Sequence, residues 1–186
     1  MTTTAALVVN DGHDLEQALK RAAREQGINL QHARPSREAL HTAIHEYRTL
    51  FRPQQEQQLK AQRCIAAEAM QTFSRFGPRL IGPLVRGDGP LDKVQLLLTA
   101  DTPEQVMLAL NDQRIPWRDS EVVLHYAGGR RAAKPALQFI AGDSRVELIL
   151  LDDSGRSDPP RDPMTGGRLE ALSPGQLATL LAGTAD

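Results

Sequence analysis

The periodicity of this chain changes once, at Pro78. Up to Phe76, apolar residues recur every three or four positions; beyond Pro78 they alternate or run in short blocks. The first pattern belongs to helices and the second to strands. The order reads as three helices, two strands, a helix, three strands, a polar loop and a short helix. That order implies an α+β fold: a mixed β-sheet of about five strands with helices packed on it, preceded by an N-terminal helical segment.

The helical half is punctuated by caps and prolines. Asn10 or Asp11 can cap a first helix that runs through Gln26, with Leu15, Ala18, Leu19 and Ala22 at helical spacing. Gly27 stands where a left-handed residue after a helix belongs, and residues 28–35 read as a linker. Ser36 starts a second helix whose stripe is Leu40, Ile44, Tyr47 and Phe51. Pro53 ends it and suits the first turn of a third helix, which runs to about Phe76. That helix carries Leu59, Ile65, Ala66, Ala69, Met70 and Phe73 on one side. Gln54, Gln55, Gln57, Gln58 and Gln62 read as its solvated side.

In the second half, Leu80–Val85, Val94–Thr99, Glu121–Tyr126, Ala136–Ile140 and Arg145–Leu151 read as strands. Gly87-Asp88-Gly89-Pro90, Gly128-Gly129 and Gly142-Asp143 read as turns. Thr102-Pro103 with Gln105, and Ser173-Pro174 with Gln176, carry capping signatures for two helices. The domain boundaries expected are therefore 1–35 for the N-terminal helix and linker, and 36–182 for the main domain. Within it lie helices at 36–76, the sheet at 79–151, a loop at 152–172 and a helix at 174–182.

Charge and composition remove several function classes. With 22 Lys+Arg, 23 Asp+Glu and a formal net charge of −1, the chain is not a nucleic-acid binder that works by bulk positive charge. The apolar runs Ala5–Val9 and Leu96–Leu98 are far shorter than the ~20 residues that span a membrane. The start Met1-Thr2-Thr3-Thr4 has no basic segment, so no signal peptide is expected. The single cysteine, Cys64, allows neither an internal disulfide nor a cysteine-rich metal site. It reads as a small residue on a helix, and the expected compartment is a reducing cytoplasm.

Four short motifs have bland readings. His41 and His45 are four apart on a helix, a zinc-ligand spacing, but Thr42 stands where a metalloprotease has glutamate. Arg86-Gly87-Asp88 matches a tripeptide that some adhesion receptors recognise and falls in a turn. Gly166-Gly167-Arg168 lacks the strand and the Lys-Ser/Thr of a phosphate-binding loop, and reads as a flexible segment. Arg130-Arg131 with Lys134 is a small basic hairpin tip.

Three segments carry a resemblance. Arg79-Leu-Ile-Gly-Pro-Leu-Val-Arg-Gly87, Lys93-Val-Gln-Leu-Leu-Leu98 and Val146-Glu-Leu-Ile-Leu150, in that order, resemble the core of the polymerase-beta-like nucleotidyltransferase superfamily. Glu46-Tyr47-Arg48, Leu50-Phe51-Arg52-Pro53, the helix from Pro103 and Arg114-Ile115-Pro116-Trp117 extend the likeness to small bacterial nucleotidyltransferase-like proteins, over residues 40–172. The resemblance implies a Gly-Ser pair facing a triphosphate, an Asp-x-Asp/Glu pair on the next strand and a third carboxylate on a later strand. Together these would hold divalent metals.

The chain departs from that pattern. Gly82-Pro83 stands for Gly-Ser, and proline has neither the hydroxyl nor an N–H for a phosphate. Lys93-Val94-Gln95 stands for the acidic pair. Only Glu147 keeps its acid; Asp92 is adjacent to Lys93 but alternates to the other face. A two-metal site needs several anionic oxygens, so no metal cofactor is expected. The expectation is a nucleotidyltransferase-like pseudoenzyme that binds a nucleotide, nucleic acid or protein. The substrate-contacting positions would be Gly82, Lys93, Gln95 and Arg86. The alternatives are an active, magnesium-dependent transferase using Asp88, Asp92 and Glu147, or a non-catalytic protein-interaction module. Lys93 and Glu147 are expected to share one face of the sheet, with 94–99 beside 145–151.

Overall fold

Asp14, not Asn10 or Asp11, opens the helix that carries Leu15, Ala18, Leu19 and Ala22. Its carboxylate accepts the backbone N–H of Gln17. This computed structural model describes residues 2–30, 34–152, 158–163 and 165–183. Helices α1 (Thr2–Asp11) and α2 (Leu15–Glu25) replace the single first helix read from the sequence. Gly12, with φ +66°, separates them, a conformation that costs glycine little. The composition of α1 hides it in the sequence: three threonines and Val8-Val9 are weak helix formers, yet Ala5, Leu7, Val8 and Val9 are buried. Tertiary burial outweighs propensity here.

Helix α3 (Arg37–Phe51) starts at Ser36, whose hydroxyl accepts from the N–H of Ala39. The buried stripe is Leu40, Ile44 and Arg48, not the expected line through Tyr47 and Phe51; Phe51 is 62% exposed. Helix α4 (Pro53–Thr72) buries Leu59, Ala66, Ala69 and Met70 as expected. It also buries Gln62 and Arg63, which corrects the reading of Gln62 as solvated.

The chain forms two compact units. One comprises residues 1–61 with Pro83–Leu91, and the other residues 62–82 with Asp92 onward. In the first, α1 packs on α2 and α3. Asn10 donates to the Tyr47 hydroxyl and accepts from Arg52, and Gln55 donates to the carbonyl of Val9. These bonds tie both ends of the helical unit across the expected 35/36 boundary.

The second unit holds one five-stranded sheet, in the order β1-β2-β5-β4-β3. The strands are β1 (Arg79–Ile81), β2 (Lys93–Thr99), β3 (Trp117–His125), β4 (Arg131–Ala141) and β5 (Ser144–Leu151). β2 and β5 run parallel and the other pairs antiparallel, so the sheet is mixed and 94–99 does lie beside 145–151. β1 is shorter than expected. Gly82 turns at φ +78°, Pro83 has no N–H to give a neighbour, and Pro83–Arg86 forms one turn of helix, α5. β3 and β4 are longer than expected, and Pro135 sits where β4 stops pairing with β5 and keeps only β3.

Alternation gives this sheet two faces. One carries Val94, Leu96, Leu98, Val146 and Leu148, all fully buried. Phe73, just beyond α4, meets Phe139 on this side with ring centroids 6.1 Å apart. α6 (Pro103–Asp112) buries Val106 and Leu110. It starts with Pro103 in place, but the Thr102 hydroxyl makes no capping bond to the backbone. The opposite face packs Leu97, Ile149, Leu151, Leu124 and Tyr126 under Leu169 and Ala171. α7 (Pro174–Gly183) opens with the expected reciprocal cap: Ser173 N–H donates to Gln176 Oε1, and Gln176 N–H to Ser173 Oγ. Of the polar loop, residues 153–157 and 164 lie outside the described residues. Among the described residues no helix is long and apolar enough to cross a membrane.

Candidate functional site

Lys93, Gln95 and Glu147 project onto the second face, the one that also carries Leu97 and Ile149. Gln95 is the direct neighbour of Glu147 across the parallel pair β2/β5. Gln138 is its direct neighbour on β4. The period of two therefore aligns an amide, a carboxylate and an amide in one row across the sheet.

That row is hydrogen-bonded throughout. Gln95 Nε2 donates to Glu147 Oε2 at 2.7 Å, and Gln138 Nε2 donates to Oε1 at 2.7 Å. Gln138 Nε2 also reaches Ser120 Oγ at 2.9 Å. Lys93 Nζ lies 3.6 Å from Glu147 Oε2, an ion pair just beyond hydrogen-bond length. Glu147 is 3% exposed, while the Lys93 side chain keeps 36% of its surface in water. An ionised carboxylate needs partners when it is buried, and here both oxygens have one. Each oxygen of Glu147 is thus already engaged by a neighbouring amide, with which a cation would have to compete.

Asp88 and Asp92 do not complete a metal set with it. Asp88 belongs to the helical unit, is 3% exposed, and pairs with Arg37 at 3.0 Å. Asp92 is exposed in the bend before β2. Among the described residues no three His, Cys, Asp or Glu side chains are grouped to hold a metal.

Gly82 ends β1 beside Gln95. A Cβ placed there would lie 2.7 Å from Gln95 Oε1, so the end of the Gln95 side chain would have to move from its place beside Glu147. Gly82→Ala is expected to destabilise the chain by about 2 kcal/mol, from left-handed strain plus the displaced amide. Gly142 has a similar φ of +59° but nothing within 4 Å of a Cβ. Gly142→Ala should therefore show only the strain, about 1 kcal/mol. Equal losses in urea unfolding would remove the role of the Gln95 contact.

Arg86 lies with the helical unit in a second polar cluster. Arg37, His41, Ile44 and Arg48 fall on one face of α3. His41 Nε2 bonds the carbonyl of Arg86 at 2.5 Å, and Arg48 Nη1 donates to the carbonyl of Gly87 at 2.5 Å. With the Arg37–Asp88 pair, three consecutive residues are held by one helix. Asp88 is consumed by this clamp, so the tripeptide Arg86-Gly87-Asp88 does not present its acid to a receptor. Burial pushes the Arg48 guanidinium below its usual pKa, against the opposing pull of Glu56 and Asp88. His45 turns instead to Glu56, at 3.3 Å, so the two histidines serve different neighbours. Cys64 is exposed on α4.

Gln138 and Ser120 were not singled out in the sequence, although one signal was present. The two-residue turn Gly142-Asp143 fixes the register of its hairpin. Counting about four residues outward on each side places Gln138 opposite Glu147, as found. Compared with protein-family models and with curated proteins, the chain matches none.

Proposed function

We propose that the sheet unit is a nucleotidyltransferase-like domain that has lost metal-dependent transfer and works by binding, in a reducing cytoplasm. One observation carries this reading. At the three positions where the resemblance implies metal-holding carboxylates stand Lys93, Gln95 and Glu147, and the one acid is closed by two amides with an ammonium beside it. A divalent cation would have to compete with both amides and sit against the Lys93 ammonium, whereas metal-assisted transfer uses several anionic oxygens free of such charge. What the site retains is a polar floor with donors at its edge, which suits recognition of a ligand such as a nucleotide rather than its activation.

The test is titration calorimetry with manganese and each nucleoside triphosphate, with pyrophosphate release followed in parallel. No manganese-dependent heat and no pyrophosphate are expected. Micromolar binding that requires manganese, or any release of pyrophosphate, would return the domain to the active transferases.

A further inference from the structure

The closed row leaves a charge arrangement that the sheet itself does not explain. Lys93 and Arg145 are direct partners across β2 and β5, about 4.8 Å apart as neighbouring strands are. Like charges in that relation repel. Lys93 is partly offset by Glu147, but no ion pair reaches Arg145 among the described residues. Arg118 is the direct partner of Gln138, so it stands on the same face and extends the row of Gln95, Glu147 and Gln138. It too has no ion pair among the described residues, and both arginines are exposed. One step beyond Arg118 on the same face of β3, Ser120 accepts a bond from Gln138 and keeps its own hydroxyl proton to donate. Lys93 holds its acid at more than hydrogen-bond length, so its N–H groups are available as well.

From this arrangement we infer that the part of this face on which Arg145 and Arg118 are exposed is a metal-free site for a small polyanion, a ligand with two or more linked phosphate or carboxylate groups. Lys93 and Arg145 grip one group together. Arg118 and Ser120, two strands from β5 and therefore about 10 Å across the sheet, take the other. The cations do what a metal does elsewhere: they neutralise the ligand, with no coordination bond to make or break. This rests on reading the domain as a binding module.

The experiment is calorimetry in EDTA at low salt, with inorganic tripolyphosphate in one arm and citrate in the other. Saturable binding in either arm is expected, and the stronger arm names the acid. Arg145→Glu should weaken it by about 30-fold, the scale of one charge-assisted contact. Arg145→Lys should recover part of the loss. Glu147→Gln should tighten binding by about threefold, because it removes a negative charge beneath the ligand; a purely structural glutamate would give no such gain. Arg145 is exposed, so its two variants stay folded; melting curves verify this and establish it separately for Glu147→Gln. Absence of binding in both arms, or unchanged affinity in Arg145→Glu, overturns the site. So does binding of a single-stranded oligonucleotide in place of either small anion. Binding that appears only with manganese instead overturns the non-catalytic reading, so the two failures are told apart.

Discussion

Gln138→Leu is expected to destabilise the chain by about 3 kcal/mol, the penalty for stranding a buried carboxylate. Glu147 Oε1 has Gln138 as its donor, and at 3% exposure water cannot take the place of that amide. The double change Gln138→Leu with Glu147→Leu should recover much of the loss, because the charge disappears with its partner. Lys93→Ala should behave differently. Its side chain is one-third exposed and 3.6 Å away, so about 1 kcal/mol or less is expected. A urea-unfolding double-mutant cycle, with Glu147→Leu as its other single variant, reads the first pair, and Lys93→Ala is unfolded beside it. If Gln138→Leu costs under about 0.5 kcal/mol, the level of an ordinary surface change, the carboxylate is not closed by the amides.

Arg48→Ala is expected to cost about 3 kcal/mol, as loss of a buried charge partner does. Arg48 is 2% exposed. Its removal leaves the carbonyl of Gly87 without its donor and takes a cation from beside Glu56 and Asp88. Arg48→Lys should restore only part, since a single ammonium cannot reproduce the planar fork. Phe51→Ala, by contrast, should stay within about 0.5 kcal/mol because it changes an exposed position. Hydropathy alone predicts the opposite ranking. A loss at Phe51 larger than at Arg48 would mean that the buried face of α3 runs through residue 51 after all.

These two sites also show what a sequence can and cannot disclose. That β2 lies beside β5 was legible from the apolar residues at every second position, Val94, Leu96 and Leu98 with Val146, Leu148 and Leu150, taken with the resemblance; that the two run parallel was not. The common face of Lys93 and Glu147 followed from the same alternation. The last helix was legible from Ser173 and Gln176, which make the bonds their spacing implies. Illegible were features that depend on distant partners. Arg48 looks like a surface residue until Gly87 comes to meet it, and Gln62 looks solvated until Ser144 accepts its amide. Helix α1 lacks local signals altogether and is held by what it packs against. In the site, Gln138 could be reached by counting from a turn. The cationic relation of Lys93 to Arg145 needed the parallel register, which no turn sets.

The segment Pro83–Leu91 has a consequence for the order of events on the ribosome. It completes the helical unit although it is bracketed in the chain by β1 and β2. Arg48 emerges from the exit tunnel 39 residues ahead of the carbonyl it will bind, so the helices leave with their clamp empty. By the time that turn arrives, β1 has already been made and is waiting for β2. β2 in turn waits for β5, since Gln95 and Glu147 are 52 residues apart. Neither unit can be finished before synthesis of the other has begun. A fragment stopped at Phe76, where the periodicity changes, contains neither one whole.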